Sequence, residues 1–253
     1  MKTASYMNPD LLLTFLLLTM VFGVAIAYLL KVFFQGRTQY GRVEQQGGSS
    51  LLSKRVMEMA YWVLQPLGDF LIYVGFSANN ISFFSLIFGG IAGVSLAFGH
   101  FGSAGFFSAF CALFDSVDGI VARKMGTASN AGEVLDASVD RYVEFFFFAG
   151  LVLYYQQMSN LILLTLMAFL GSFMVSYSTA KAEALNVTPP RGNMRRPERA
   201  LYLTLGAILS PISAQIFPGD QGIGYPMVLS LALVASLANG SAVHRLYAIA
   251  KEV

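Results

Sequence analysis

Long runs of apolar residues, separated by short polar segments, dominate the pattern along this 253-residue chain. A helix that crosses a membrane needs roughly 20 predominantly apolar residues. Seven stretches meet this requirement, and we predict that each forms a transmembrane helix. They lie at about 11–34, 81–100, 102–123, 133–155, 161–180, 200–217 and 225–247.

The segment 51–76 has a different pattern. Its apolar residues recur every three or four positions, and charged residues such as Lys54 and Glu58 fall between them. This spacing predicts an amphipathic helix along the membrane surface, with an eighth, tilted span as the alternative. Pro66 is expected to kink or divide that helix. The preceding stretch, 36–50, ends in Gln, Gly and Ser residues and has the composition of a flexible linker.

Composition supports a membrane protein. Hydrophobic residues make up 56% of the chain and charged residues only 12%, whereas soluble domains carry about 25% charged residues. The 16 basic residues against 14 acidic ones do not form the basic face that nucleic-acid binding requires. We therefore expect lipid, and no nucleic acid, as a partner.

The distribution of Lys and Arg predicts the orientation, because cytoplasmic loops are enriched in these residues. Connections without Lys or Arg alternate with connections that hold almost all of them. The basic segments, which we place in the cytoplasm, are 35–55, 123–132, 181–199 and the tail from 245. The N-terminus is then outside. Ala25-Ile26-Ala27 resembles a secretory cleavage site, but cleavage there would leave the basic linker outside, so a retained anchor is favoured.

Six of the 14 acidic residues lie between positions 115 and 144, on two successive predicted helices. Asp115 and Asp118 share one helical face, and Asp136 and Asp140 share one face of the next helix. A short connection makes the two helices antiparallel neighbours, so the four carboxylates converge. Such like charges repel unless a cation holds them together, and carboxylate oxygens favour hard ions such as Mg²⁺ or Mn²⁺.

Other classes of protein also place acids in membrane helices. The acids could be solvated helix ends, or the cation or proton pathway of a transporter, although transporters usually show internal repeats and this chain has no second copy of the acidic pair. A metal-binding structural subunit and a prenyl-transferring enzyme with Asp-rich motifs are further alternatives.

The order of residues around these acids is more specific. The chain reads D-x2-D-G-x2-A-R-x8-G-x3-D-x3-D from Asp115 to Asp140, which resembles the signature of the CDP-alcohol phosphotransferase family. The resemblance implies an all-α integral membrane fold, with an interfacial helix at 51–76 and six membrane helices in 77–253. Residues 1–35 would form an additional N-terminal membrane anchor, joined to the 51–253 domain by the linker 36–50.

The resemblance also implies the activity, which is transfer of a phosphatidyl group from CDP-diacylglycerol to a hydroxyl of a small alcohol with release of CMP. Asp115, Asp118 and Asp136 would bind two Mg²⁺ or Mn²⁺ ions, and Asp140 would complete the metal site and act as the general base. The CDP-binding residues would be Asn79, Asp115, Gly119, Ala122, Arg123 and Gly132. Asn79 matches the family's Thr-Pro-Asn-x-x-Thr motif, but Ala78 and Ser82 replace its Pro and second Thr.

The acceptor is assigned from the basic loop between the fifth and sixth predicted spans of the chain, at 181–199. Its sequence is similar to that of prokaryotic family members that use phosphorylated inositol, so Lys181, Arg196 and Arg199 would bind the acceptor phosphate. Glycerol 3-phosphate is the alternative acceptor, and attraction of the loop to anionic lipid is the alternative role. The family is commonly homodimeric, and Gly89-x-x-x-Gly93 is interpreted as either internal packing or a dimer contact.

Overall fold

The computed structural model describes residues 8–46, 53–188, 192, 194–217, 219–220 and 222–252. Within these residues the chain forms nine helices and no strand. The predicted all-helical membrane fold is confirmed. The helices are α1 (Pro9–Gln35), α2 (Gly41–Gln46), α3 (Lys54–Tyr73), α4 (Ala78–Ala97), α5 (Phe101–Lys124), α6 (Asn130–Tyr154), α7 (Ser159–Ala184), α8 (Arg196–Ile216) and α9 (Tyr225–Glu252).

Five of these helices, α1, α4, α5, α7 and α9, are long and apolar enough to cross a membrane. The remaining two that the sequence predicts as spans, α6 and α8, are 25 and 21 residues long. Their lengths suit a crossing, but their N-terminal halves carry several charged residues and lower their apolar content. These charged halves hold Asp136, Asp140 and Arg199, three of the candidate site residues described below.

The chain divides into two compact units. Unit 1 comprises Met1–Thr14, Gly89–Ser108 and Arg141–Val253, and unit 2 comprises Phe15–Phe88 and Ala109–Asp140. The helices α1, α4, α5 and α6 each contribute residues to both units. Buried side chains of unit 1, including Leu96, Phe148 and Leu231, form one hydrophobic core, and those of unit 2 form a second.

Small residues allow the helices of unit 1 to approach closely. A Cβ atom at Gly89 would lie 2.8 Å from a methyl group of Val143, and one at Gly93 would collide with the backbone oxygen of Phe146. Both glycines therefore face α6 within the same chain. Of the two interpretations of the Gly-x-x-x-Gly spacing, the structure shows internal packing.

The amphipathic segment forms α3 as one helix, and Pro66 lies inside this helix without dividing it. The Ser53 side chain caps its first turn by accepting a hydrogen bond from the backbone N–H of Val56. On the buried side, Gly68 leaves room for Ile120 of α5, since a Cβ atom there would lie 3.1 Å from that side chain. The predicted positions 51 and 52 lie outside the described residues.

Polar contacts hold the N-terminal helix α1 in each unit. In unit 1, the buried Asp10 carboxylate accepts hydrogen bonds from the Ser103 backbone N–H at 3.1 Å and from its hydroxyl at 2.7 Å. In unit 2, the Tyr28 hydroxyl donates to Glu58 at 3.5 Å, and Arg37 forms a salt bridge with Glu58 at 2.7 Å. This bond to Glu58 raises the pKa of the Arg37 guanidinium. Polar contacts thus hold α1 near its start in unit 1 and near its end in unit 2.

Candidate active site

The connection between α5 and α6 brings their acidic ends together. It is short, and Gly126 adopts a φ of 67°, in the left-handed region that favours glycine. Ser129 then caps α6, because its hydroxyl accepts a hydrogen bond from the Gly132 N–H at 3.2 Å and its carbonyl accepts one from the Glu133 N–H at 3.0 Å. The tight turn makes the two helices antiparallel neighbours, as the sequence predicts.

Three of the four predicted aspartates form a compact cluster in unit 2. Asp115, Asp118 and Asp136 each offer a carboxylate oxygen, and these oxygens lie within 4.8 Å of one another. Asp118 is buried and the other two are half-buried. We call these three residues the aspartate group. The three carboxylates repel one another, and a hard divalent cation bound between them offsets this repulsion.

Ser82 of α4 supports the aspartate group. Its hydroxyl lies 2.5 Å from Oδ2 of Asp118, and both side chains are buried. A donor that fixes one oxygen of a metal-binding carboxylate orients the other toward the ion. In the sequence, Ser82 stands where the family motif has its second Thr. Since Thr also carries a hydroxyl, the replacement retains this hydrogen bond.

Asp140 lies one turn beyond Asp136 on α6 and is 6% exposed. Among the residues that the structure describes, the cluster of oxygens within 4.8 Å comprises the aspartate group and does not include Asp140. Asp140 is therefore a fourth carboxylate, which lies outside this cluster and one turn farther along α6.

The small residues of the signature differ in what surrounds them. A Cβ atom at Gly119 would lie 3.0 Å from Nη1 of Arg123, so the Arg123 guanidinium lies over this glycine. A Cβ atom at Gly132 would lie 3.5 Å from the Ser129 hydroxyl, an ordinary contact distance. Ala122 is half-buried, and Asn79 is exposed in the first turn of α4.

A second polar cluster lies in unit 1, and Arg199 is at its centre. This side chain is 1% exposed. Its guanidinium donates to Glu144 at 3.2 Å, to the Ser176 hydroxyl at 3.2 Å and to the Met194 carbonyl at 3.3 Å. Arg141 donates to Glu144 at 2.7 Å and to Ser176 at 2.6 Å. We call Arg141, Glu144, Ser176 and Arg199 the Arg199 network.

The other predicted basic residues are more accessible. Arg196 is half-buried at the start of α8, and Lys181 is exposed in the last turn of α7. At the start of α8, the Glu198 side chain accepts a hydrogen bond from the Arg195 backbone N–H at 2.8 Å. Of the three predicted acceptor residues, the structure thus buries Arg199 and leaves Lys181 at the surface.

Arg245 of α9 is a candidate that the sequence analysis missed. It is 6% exposed, donates to the Thr179 hydroxyl at 2.9 Å, and its Nε has no hydrogen-bond partner among the described residues. Thr179 and Ser176 lie three residues apart on α7, so they share one face of that helix. The available signal was an arginine in an apolar helix, which usually marks a functional position, but the sequence analysis assigned it to the basic tail.

Comparison with known proteins decides the family. The profile of the CDP-alcohol phosphatidyltransferase family matches residues 76–237, which is more than half of the chain. The chain belongs to the CDP-alcohol phosphatidyltransferase family. It is therefore an integral membrane enzyme of phospholipid synthesis that depends on a divalent metal, as the signature predicts.

Individual relatives of known name are similar along most of their length. The chain is 29% identical over 205 residues to a phosphatidylinositol phosphate synthase of Mycobacteroides abscessus, covering 79% of this chain and 88% of that protein. It is 29% identical over 184 residues to the enzyme of the same name from Corynebacterium glutamicum, covering 71% and 78%.

Solved structures show the same fold. Phosphatidylinositol phosphate synthase of Mycobacterium tuberculosis with CDP-DAG bound aligns with a TM-score of 0.65 and 25% identity, covering 74% of this chain and 93% of that chain. The same enzyme in complex with manganese and citrate aligns with a TM-score of 0.66 and 25% identity, covering 74% and 88%.

Proposed function

We propose that this enzyme transfers the phosphatidyl group of CDP-diacylglycerol to a hydroxyl of an inositol phosphate and releases CMP. The observation that carries the proposal is the aspartate group, whose three converging carboxylates fit a divalent metal. Relatives named phosphatidylinositol phosphate synthase, one of them solved with CDP-DAG, support the choice of both substrates.

The aspartate group binds the metal and thereby positions the diphosphate of the donor. When bound, two Mg²⁺ or Mn²⁺ ions neutralise the diphosphate and make CMP a better leaving group. Gly119, Ala122 and Gly132 leave space for the CDP moiety, and Arg123 lies beside that space. Asn79, exposed at the start of α4, is available to the nucleotide.

Asp140 acts as the general base. Its carboxylate takes the proton of the acceptor hydroxyl while that oxygen forms a bond to the phosphorus that carries diacylglycerol. The bond from this phosphorus to the oxygen of CMP breaks in the same displacement. The transfer is complete in this single displacement, and it requires no covalent enzyme intermediate. Asp140 also belongs to the metal site in this proposal, since a nearby cation keeps its carboxylate ionised.

The acceptor phosphate is bound by arginines, whose planar guanidinium groups match phosphate oxygens. Arg199 and Arg245 supply the buried charges, and Arg196 and Lys181 are accessible from the loop before α8 and from the end of α7. The same chemistry also suits glycerol 3-phosphate, so the choice between the two acceptors rests on the named relatives.

The membrane topology follows from the charge distribution. We place the aspartate group and the basic helix ends at the cytoplasmic face, the N-terminus outside, and α1 as an anchor added to the 51–253 domain. A homodimer is also part of the proposal, although Gly89 and Gly93 are occupied by internal packing.

The test is release of CMP by the purified protein from CDP-diacylglycerol with Mn²⁺ or Mg²⁺. Inositol 1-phosphate, inositol, glycerol 3-phosphate and serine serve as acceptors in parallel reactions. We expect inositol 1-phosphate to stimulate CMP release most strongly. Asp140→Asn should abolish turnover while binding of CDP-diacylglycerol is largely retained.

Each outcome decides a separate part of the proposal. Strong stimulation by glycerol 3-phosphate alone would overturn the acceptor but keep the reaction. No CMP release with any acceptor would overturn the reaction. Near-normal turnover of Asp140→Asn would show that another group takes the proton.

A further inference from the structure

Unit 2 contains a cleft that shares one residue, Arg123, with the proposed CDP-binding residues. It has a volume of about 400 Å³ and is open to the surface. Its walls come from the segment after α1, from α3 and from the C-terminal end of α5. The polar lining residues are Gln39, Arg42, Gln65, Arg123 and Lys124, and Tyr40 and Tyr61 supply aromatic surface.

The cleft concentrates positive charge. Lys124 forms a salt bridge with Asp69 at 2.7 Å, which neutralises this one cation. For Arg42 and Arg123, the described part of the chain provides no carboxylate at salt-bridge distance. The two guanidinium groups repel each other, and Asp118 attracts Arg123 from beyond that distance without lining the cleft. Two arginines that share a cleft without a carboxylate attract an anion from solution or from the membrane surface.

The position of Arg42 is fixed by its neighbours. Val43, the next residue, is 1% exposed and anchors α2. On the other side, the Tyr40 ring packs against the Tyr61 ring of α3, with 5.6 Å between ring centroids. Burial, followed by the nearby Glu58 carboxylate, raises the pKa of the Tyr40 hydroxyl, so the ring remains neutral. The segment that sequence composition predicts as a flexible linker is therefore packed at this point.

The donors in the cleft favour phosphate over carboxylate. A single guanidinium satisfies both oxygens of a carboxylate through a bidentate pair. Two guanidinium groups and the amides of Gln39 and Gln65 offer more N–H donors than two oxygens accept, whereas a phosphate group presents additional oxygens. All of these residues except Arg123 and Lys124 precede position 76, where the match to the family profile begins.

We propose that this cleft binds a phosphate group between Arg42 and Arg123, which makes the segment after α1 part of a ligand site. The phosphate belongs either to the head group of an anionic phospholipid or to a soluble phosphate ester. Both sources present the same chemistry to the two arginines. The proposal goes beyond the transferase reaction, because Arg42 and the other residues before position 76 have no role in that reaction and the cleft shares only Arg123 with the CDP-binding residues.

The test measures binding without turnover, in the full chain with metal removed by EDTA so that the aspartate group does not contribute. One arm titrates inorganic phosphate and CMP into the detergent-solubilised protein by calorimetry. The other arm counts tightly retained phosphatidylglycerol molecules by native mass spectrometry. Arg42→Gln removes one charge from the cleft. Arg55→Gln is the matched control, since Arg55 is exposed on α3 and does not line the cleft.

We expect Arg42→Gln to weaken binding about 10-fold or more in one arm, as for loss of a charge-assisted hydrogen bond, while Arg55→Gln binds like wild type. Loss in the phosphatidylglycerol arm identifies a lipid head group, and loss in the calorimetric arm identifies a soluble ester. The proposal is overturned if wild type binds none of the probes, or if Arg42→Gln retains wild-type affinity in both arms.

Discussion

The aspartate group comes from two helices joined by a short turn, whereas the Arg199 network draws on three helices and its residues are spread over positions 141–199. Asp115, Asp118 and Asp136 lie within 22 positions of one another on α5 and α6. Arg141 and Glu144 lie on α6, Ser176 on α7 and Arg199 on α8. Local spacing therefore determines the first cluster, and tertiary packing determines the second.

The two clusters also differ in charge balance. The aspartate group gathers like charges, which suits a site completed by a cation. In the Arg199 network, Glu144 faces two arginines, so the buried cations already have a carboxylate partner. The first arrangement is suited to binding an ion, and the second to holding arginines rigidly before a substrate arrives.

Replacement of a clustered aspartate should have the largest effect. Asp136→Asn removes one carboxylate charge from the metal site, and we expect CMP release to fall by about 1,000-fold or more, because a catalytic metal contributes several kcal/mol. The measurement is turnover as a function of Mn²⁺ concentration. Glu133→Gln, an exposed acid on the same helix, is the matched control and should retain activity. Equal loss of CMP release in both variants would show that the aspartate group matters no more than another acid on α6.

Removal of the central carboxylate of the Arg199 network should mainly reduce stability. Glu144→Gln leaves Arg199, which is 1% exposed, without its charged partner. Breaking a buried ion pair in this way costs about 3 kcal/mol, so we expect a clearly lower Tm of the purified protein in detergent. Glu183→Gln at the exposed end of α7 is the control. An unchanged Tm for Glu144→Gln would show that the network is not a stabilising unit.

Substitution of Ser82 should have a smaller effect on metal activation. Ser82→Ala removes the hydrogen bond to Asp118, and loss of such an outer contact typically weakens metal binding by about 10-fold. We expect a higher Mn²⁺ requirement with near-normal maximal turnover. Ser82→Thr keeps the hydroxyl and should restore wild-type behaviour, and Ser95→Ala on the same helix is the control. If the alanine and threonine variants have the same Mn²⁺ requirement, the Ser82 hydroxyl does not support the metal site.

Much of the fold could be predicted because apolar runs and charge alternation are local properties of the sequence. The runs indicated the positions of seven long helices, five of which are apolar enough to cross a membrane, and the short connection before Ser129 indicated the antiparallel pair α5 and α6. Two features of the fold could not be predicted from the sequence. The continuous path of α3 through Pro66 depends on packing against α5, and α2 forms within a stretch whose composition is typical of a flexible linker.

The sequence predicted those parts of the candidate site whose residues lie close together along the chain. Asp115, Asp118 and Asp136 could be identified because their spacing follows the helical repeat. The roles of Ser82 and Arg245 could not, since their partners lie on other helices. Ser82 stands at the last position of a weakly matched family motif that does not predict its contact with Asp118, and Arg245 has no motif around it. Arg199 was identified, but its partner Glu144 was not, because the contact between α6 and α8 exists only in the folded chain.

The proposed binding of the acceptor phosphate by buried arginines can be tested most directly by a cycle that pairs Arg245→Gln with removal of the acceptor phosphate. Initial rates of CMP release are measured with inositol 1-phosphate and with inositol, in wild type and in Arg245→Gln, with Lys251→Gln as the control on the same helix. If Arg245 binds the acceptor phosphate, the wild type should prefer inositol 1-phosphate, and the variant should lose about 10-fold or more of that preference. An unchanged preference in Arg245→Gln would contradict the assignment of the acceptor phosphate to this arginine.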